Sequence, residues 1–420
     1  MEARNLRKII ICGEKYSINF GEPLLFDCCK ETIESNYAYK WGGDVIIECL
    51  DFYGRSCFPR QILTYKEYRT EVGPLGTVKN AKKMYHLLAK LLRRLKAKLP
   101  RYNERITIKA ENEIRQRLGK VYDESFKNAD LIIISGAGTL KYDVRLDFGP
   151  YYKIISEYAY KNNVPCVINA IGVESTYNDL DYRCSEFSKT LSSNSFRMIS
   201  TRDNLIELKK YITNPKTEVF KVADPGIMAA DIYRISKDNL SDVIGIGIID
   251  YERFREFNRG ISKRDYINTI IGIINNLDKK KQKWKLFTNG DVGDTICAYE
   301  IAEKITNNPS NLVIVPQTPK NLVETVGNFK GIITSRLHSC IVAYSLDVPF
   351  VAISWNNKIS YFADNIGCPE RVYEKNNLDS DLIVDGLNKA LEEGFDRNRR
   401  CELNQSIEIA FKRYLSLLEE

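Results

Sequence analysis

The chain has 420 residues, 44% of them hydrophobic and 28% charged, with a formal net charge of +7. That length exceeds what one hydrophobic core organises, and the composition excludes a disordered or fibrous chain, so two packed domains of roughly 200 residues are expected. No run of 18 apolar residues and no charged-then-apolar leader occurs, which predicts a cytoplasmic protein that neither spans a membrane nor uses the secretory route.

The eleven cysteines run from Cys12 to Cys401 without a C-x-x-C pair, so reduced, mostly buried thiols are expected in place of a disulfide framework or zinc site. The basicity is local: nine Lys/Arg and no acid lie between Lys79 and Arg101, and without them the chain is slightly acidic. This argues against a general nucleic-acid-binding surface.

In chain order, short β-branched runs alternate with segments of helical period. The first half predicts strands at 8–12, 44–50, 131–135, 165–171 and 197–201, with helices at 20–33, 78–99, 103–126, 150–161 and 205–212. A polar stretch at 231–242 then separates a second half. It predicts strands at 243–249, 284–288, 312–316, 331–335 and 349–354, with helices at 263–277, 294–305, 320–326, 337–346 and 359–366. One or two terminal helices follow over 382–420. Repeated βα units predict two α/β lobes with mostly parallel sheets, residues 1–235 and 236–400, and a final helix over 401–420 that packs back across them. Within 78–99 an apolar stripe opposes the basic residues, which fits either a solvated basic face on a packed helix or a surface lying on anionic lipid.

Open parallel sheets bind ligands outside the carboxyl ends of their strands. Arg336 and His338 follow the strand at 331–335 and precede an apolar helix. A guanidinium fork and an imidazole suit an anionic substrate that needs a proton; alternatively His338 caps its helix and Arg336 pairs with an acid. Gly136, Ala137 and Gly138 close the strand at 131–135, either as an anion cradle or as a structural turn. Arg202 follows 197–201 and Asp224 follows a run over 219–223. Asp224 equally suits capping the Pro225-Gly226 turn, and Arg202 a solvated pair with Asp203. The pairs Asp179/Asp181 and Asp379/Asp381 precede helical patterns and read as caps; no metal is assigned.

Taken together, Asp130-Leu-Ile-Ile-Ile-Ser-Gly-Ala-Gly138, Ser200-Thr-Arg202-Asp203, Ala223-Asp224-Pro225, Gly331-Ile-Ile-Thr-Ser-Arg336-Leu-His338, Asp347-Val-Pro349 and Lys358 resemble the polysaccharide pyruvyl transferase family over most of the chain. Asn19-Phe20-Gly21-Glu22 is similar to that family's early Asn-x-Gly-Asp turn. The resemblance implies two Rossmann-like lobes facing a central cleft, a GT-B fold, with the acceptor on the N-terminal and the donor on the C-terminal side. It implies phosphoenolpyruvate as donor, no cofactor, and a sugar diol as acceptor, free or lipid-linked, in capsule, exopolysaccharide or cell-wall polymer assembly.

On that basis His338 is expected to act as general acid, Arg336 and Arg202 as donor anchors from opposite lobes, and Asp224 or Asp143 as base. Gly21, Gly136, Ala137, Gly138, Ser335 and Lys358 are expected to line the substrates. The chain departs from the family at Ala137, where a third glycine is common, at Glu22, where an aspartate is usual, and at Gly172-Val173-Glu174, where Gly-Pro is common. The last departure falls on the acceptor pocket. Two other readings stay open: a nucleotide-sugar glycosyltransferase of the same architecture, and a non-catalytic protein that binds carbohydrate or a lipid surface.

Overall fold

A computed structural model describes residues 6–41, 45–72, 100–143, 146–257 and 260–419. The first sheet comprises β1 (Lys8–Gly13), β2 (Ile46–Asp51), β3 (Leu131–Ile134), β4 (Ala137–Leu140), β5 (Cys166–Val173), β6 (Phe196–Thr201) and β7 (Glu218–Lys221). Its order is β2-β1-β3-β5-β6-β7, with β4 pairing β5. The second comprises β8 (Ile244–Gly247), β9 (Trp284–Phe287), β10 (Val313–Ile314), β11 (Gly331–Thr334), β12 (Phe350–Ile353) and β13 (Val372–Tyr373), in the order β10-β9-β8-β11-β12-β13.

Every ladder is parallel. Helices therefore cover both faces, and the central strands β3, β8, β11 and β12 are buried at every residue. Each strand order reverses once, between β1 and β3 and between β8 and β11. There the connecting helices leave to opposite faces, which opens a crevice at the carboxyl ends.

All ten strands expected from the sequence occur, with ends displaced by no more than two residues. Strand β4 lies where a turn was expected; after a register shift, Ala137 and Leu140 pair with Ile171 and Val173 on β5. The helices Tyr65–Val72, Tyr182–Leu191, Ala229–Tyr233 and Glu252–Glu256 are additional. The expected basic helix at 78–99 lies outside the described residues.

Packing ties the lobes together around the helix Gly21–Trp41. Its Leu24 and Phe26 share one core with Ile341 and Val342 of the helix Leu337–Ser345 and with Phe411 and Tyr414 of the terminal helix Arg397–Ser416. Full burial contributes about 1.5–3 kcal/mol for each large apolar side chain, so this seam holds the two helices that open at the crevice. The terminal helix returns to the first sheet, where Tyr414 Oη and Ser200 Oγ are 2.6 Å apart. A second tie is the helix Tyr65–Val72, which docks on Val292–Ile305: Tyr65 Oη donates to Glu303 at 2.7 Å and Arg69 pairs with the same carboxylate at 3.1 Å.

Eight of the eleven cysteines are buried and all are free thiols. Among the described residues, no helix is long and apolar enough to cross a membrane.

Candidate active site

The polar residues that follow the strands converge from both sheets. Glu14 follows β1, Gly136 follows β3, Glu174 follows β5, Arg202 follows β6, and Asp224 comes three residues after β7. Facing them, Arg336 and His338 follow β11, while Asn356 and Lys358 follow β12.

The glycine turn is shaped by close approach. Gly136 has φ 57°, and a Cβ there would lie 2.1 Å from the Asn169 carbonyl oxygen. A Cβ on Gly138 would lie 1.9 Å from Glu174 Oε1 and 2.4 Å from Lys358 Nζ, so this turn abuts a charged pair that joins the lobes. Ala137 adopts φ 76°, a left-handed conformation that costs an L-residue about 1–2 kcal/mol and that the family's usual glycine would take freely.

His338 is buried, and its imidazole lies against Gly21: a Cβ there would be 1.9 Å from Nδ1. Glycine at 21 is what leaves room for the ring. Its Nε2 is buried with no hydrogen-bond partner among the described residues. Burial, and after it Arg202, Lys358 and Arg336, hold the imidazole pKa well below its ordinary value, so the free protein carries His338 neutral.

The two arginines differ. Arg202 donates from Nη1 to Asp224 Oδ2 at 2.6 Å, and its Nη2 is buried without a partner among the described residues. Asp224 also accepts from the Gly226 N–H at 2.9 Å. Capping the turn and holding Arg202 therefore occupy both its oxygens. Arg336 instead grips Asp294 with two nitrogens, Nε at 2.6 Å from Oδ2 and Nη2 on Oδ1. Burial pushes Asp294 up to about 6 while Arg336 pulls against it, so the pair is ionised at neutral pH. Arg336 is thus the partner of a buried acid through Nε and Nη2.

Lys358 pairs with Glu174, which Lys141 also approaches at 3.5 Å. Burial raises the Glu174 carboxyl, but Lys358 and Lys141 outweigh it and hold the pKa low. Asp143 stands apart from the buried group: its side chain is 42% exposed, pairs with Lys141 at 3.4 Å and accepts from the Leu146 N–H. Ser335 is fully buried with its N–H on the Gly247 carbonyl. Asp181 and Asp379 cap their helices.

Three carboxylates at the site were given no role from the sequence, although Glu22 and Glu174 stand at two of its departures from the family pattern. Glu22 is pushed up by burial, against Arg202 and Lys358, and its Oε2 is buried without a partner among the described residues. Burial, and Glu22 next, push Glu14 up to about 8 against the pull of Arg55. Glu174 is the third. Each immediately follows a strand or opens a helix at the crevice, and the strand-end rule extended to every polar residue would have found them. Asn289 and Asn356 also carry a buried Nδ2 with no partner among the described residues. On the open side of Lys358, a cleft of about 350 Å³ runs between Glu174 and Asn204 on one lobe and Asn356 and Tyr361 on the other.

Comparison with solved structures places this architecture in the GT-B class. A S. aureus MnaA–UDP co-structure matches with TM-score 0.52 at 11% identity, covering 99% of this chain and 98% of that one. UDP-GlcNAc 2-epimerase from Neisseria meningitidis bound to UDP-GlcNAc matches with TM-score 0.51 at 12% identity, covering 97% and 99%. At such identity the likeness concerns the fold alone. Comparison with curated proteins gives no match. The model of the polysaccharide pyruvyl transferase family matches residues 56–357, and the chain belongs to that family of transferases.

Proposed function

We propose that the chain transfers the pyruvyl skeleton of phosphoenolpyruvate to two hydroxyls of one sugar, forming a cyclic ketal and releasing phosphate. One observation carries this reading: Arg202 Nη2, a buried donor, and His338 Nε2, a buried imidazole nitrogen, come from opposite lobes and have no protein partner among the described residues, beside Lys358. Each such unpaired polar group costs about 1–3 kcal/mol, which a phosphate and a carboxylate would offset. The helix Leu337–Ser345 adds a favourable end, since its N-cap Arg336 supplies no side-chain cap.

Burial and then three cations hold His338 neutral; the donor's charge opposes the cations, so binding raises the imidazole pKa and recruits a proton. His338 delivers that proton to the methylene carbon, C2 gains oxocarbenium character, and the first hydroxyl adds there as its proton passes to a base. Phosphate then leaves with the proton that the base took up, and the second hydroxyl closes the ketal as its own proton returns to His338. Glu22 is the base we favour, because its Oε2 has no competing partner among the described residues and burial makes the ionised form more basic. Arg202 anchors the donor, and Lys358, paired with Glu174, adds its charge beside it. We place the acceptor in a capsule, exopolysaccharide or cell-wall polymer under assembly.

Thermal shift against phosphoenolpyruvate and a panel of UDP- and GDP-sugars tests the donor, since a true donor stabilises by mass action. Phosphoenolpyruvate should raise Tm and the nucleotide sugars should not. In His338→Ala the shift should survive while phosphate release falls at least a thousandfold; near-normal release would remove the general-acid role.

A further inference from the structure

We infer that residues 58–72 form a clasp that holds the lobes closed and seats the Asn19–Glu22 turn against His338, with Phe58, Gln61 and Glu303 as positioning residues. The consequence for catalysis rests on the pyruvyl-transfer reading, whereas the coupling of clasp to turn stands on the contacts alone.

The segment belongs to the first lobe by chain and to the second by packing. It leaves β2 at Asp51, whose buried carboxylate grips Arg55 through Nε and Nη2, both at 2.9 Å, and accepts from the N–H groups of Tyr16 and Tyr53. Its core partners farther along lie in the second lobe: Ile62 and Tyr68, 3% and 4% exposed, pack among Val292, Ile296, Tyr299 and Val313. Glu303 fastens the end, accepting from Tyr65 Oη at 2.7 Å and Tyr68 Oη at 3.3 Å while Arg69 pairs with it at 3.1 Å. Hydrogen bonds to a carboxylate are roughly twice as strong as neutral ones, so three donors on one acid make a firm attachment.

Between these two anchorages the segment reaches the catalytic turn. Phe58 meets Phe20 and Tyr16 edge-on, with ring centroids 5.4 Å apart in each pair. Gln61 Nε2 donates to the Gly290 carbonyl at 3.2 Å and the Pro316 carbonyl at 3.4 Å, which follow β9 and β10. Gly290 abuts the turn as well, since a Cβ there would lie 2.5 Å from the Ile18 carbonyl oxygen. The Phe20 N–H bonds across the lobes to the Asn289 carbonyl at 2.9 Å, and Asn289 Oδ1 accepts from Ser339 Oγ at 2.6 Å, next to His338 in the chain. Contacts thus run unbroken from Phe58 through Phe20 to the helix that carries the imidazole. Opening the lobes would break the Phe20 bond and withdraw Gly21 and Glu22 from His338, so closure completes the catalytic set.

Glu303 lies about 14 Å along its helix from Asp294, so a substitution there leaves the crevice side chains in place. Hydrogen exchange on the full chain is the test. Glu303→Ala and Gln61→Ala should each speed exchange of the amides in residues 18–22 at least tenfold, while those of β3 keep their protection. Faster exchange confined to residues 61–72, with 18–22 unchanged in either variant, would overturn the inference and leave the helix a local tie. Coupling is reciprocal, so phosphoenolpyruvate should slow exchange of residues 61–72 in the wild type at least threefold; a Tm shift without that slowing would also overturn it. Phosphate release should fall at least tenfold in Glu303→Ala and less in Glu303→Gln, which still accepts from both phenols; full release in Glu303→Ala would remove the positioning role. A wild-type protein with no Tm shift from phosphoenolpyruvate would sink the donor reading instead, and exchange of residues 18–22 in the variants would still decide the clasp.

Discussion

Arg202 and Arg336 each follow a strand of their own sheet and each meets a buried aspartate, yet their surroundings leave them different tasks. Asp294 takes two nitrogens of Arg336 in a fork, and its Oδ1 also accepts the Asp250 N–H at 2.9 Å. Asp224 takes one arm of Arg202, and Nη2 has no partner among the described residues. Residue type and strand-end position are the same for both, so neither distinguishes an anchor for substrate from an anchor for the fold. The count of satisfied donors does.

The largest effect should come from breaking the satisfied pair. Arg336→Ala leaves Asp294 buried and uncompensated, and we expect a loss of about 3–5 kcal/mol in denaturant unfolding; a loss below 1 kcal/mol would contradict the pairing. Arg202→Ala should cost less in stability but remove the Tm shift with phosphoenolpyruvate, with affinity falling at least tenfold, as expected for a charged hydrogen bond worth about 1.5–3 kcal/mol. Retained affinity would move the anchor elsewhere.

Gly21→Ala sharpens the comparison from the opposite helix, since the methyl would collide with the His338 ring. Displacing the ring should lower stability by about 1–3 kcal/mol and reduce phosphate release more than donor affinity. Equal losses in both would mean that Gly21 serves only packing.

The smallest effect concerns Glu14. Burial and the neighbouring Glu22 raise its folded pKa from the ordinary carboxylate range to about 8, so the folded protein holds more protons than the unfolded chain across that interval, and stability falls as pH rises through it. Glu14→Gln removes this dependence. Relative to the wild type, the variant should gain about 1 kcal/mol between pH 5 and pH 8, a small part of the full linkage because the carboxyl is half-buried. A gap that narrows with pH would reverse the sign.

Strand positions and their carboxyl edge were legible because apolar runs of β-branched residues alternate with helical segments, and parallel sheets put every strand end on one side. From that, Gly136, Arg202, Arg336, His338 and Lys358 could be aligned along the crevice without knowing any contact. Strand β4 was not legible, since Ala137-Gly138-Thr139-Leu140 has the composition of a turn and becomes a strand only by pairing with β5. Glu14 was passed over, and Glu22 and Glu174 were noted only as departures from the family pattern, for a related reason: an acid at a strand end is ordinary until burial and a neighbouring charge make it unusual.

What the amino-acid order determined by itself was periodicity, and periodicity is local: two parallel βα lobes, their carboxyl edges, and the residue types at each edge. What only the tertiary structure decided was partnership, because the partners lie far apart along the chain. Arg336 meets Asp294 across 42 positions and Lys358 meets Glu174 across 184, while His338 packs against Gly21, far away near the start of the sequence. Whether a buried charge is satisfied, and therefore whether it is free to hold a substrate, depends on those distant contacts and on the loss of water around them.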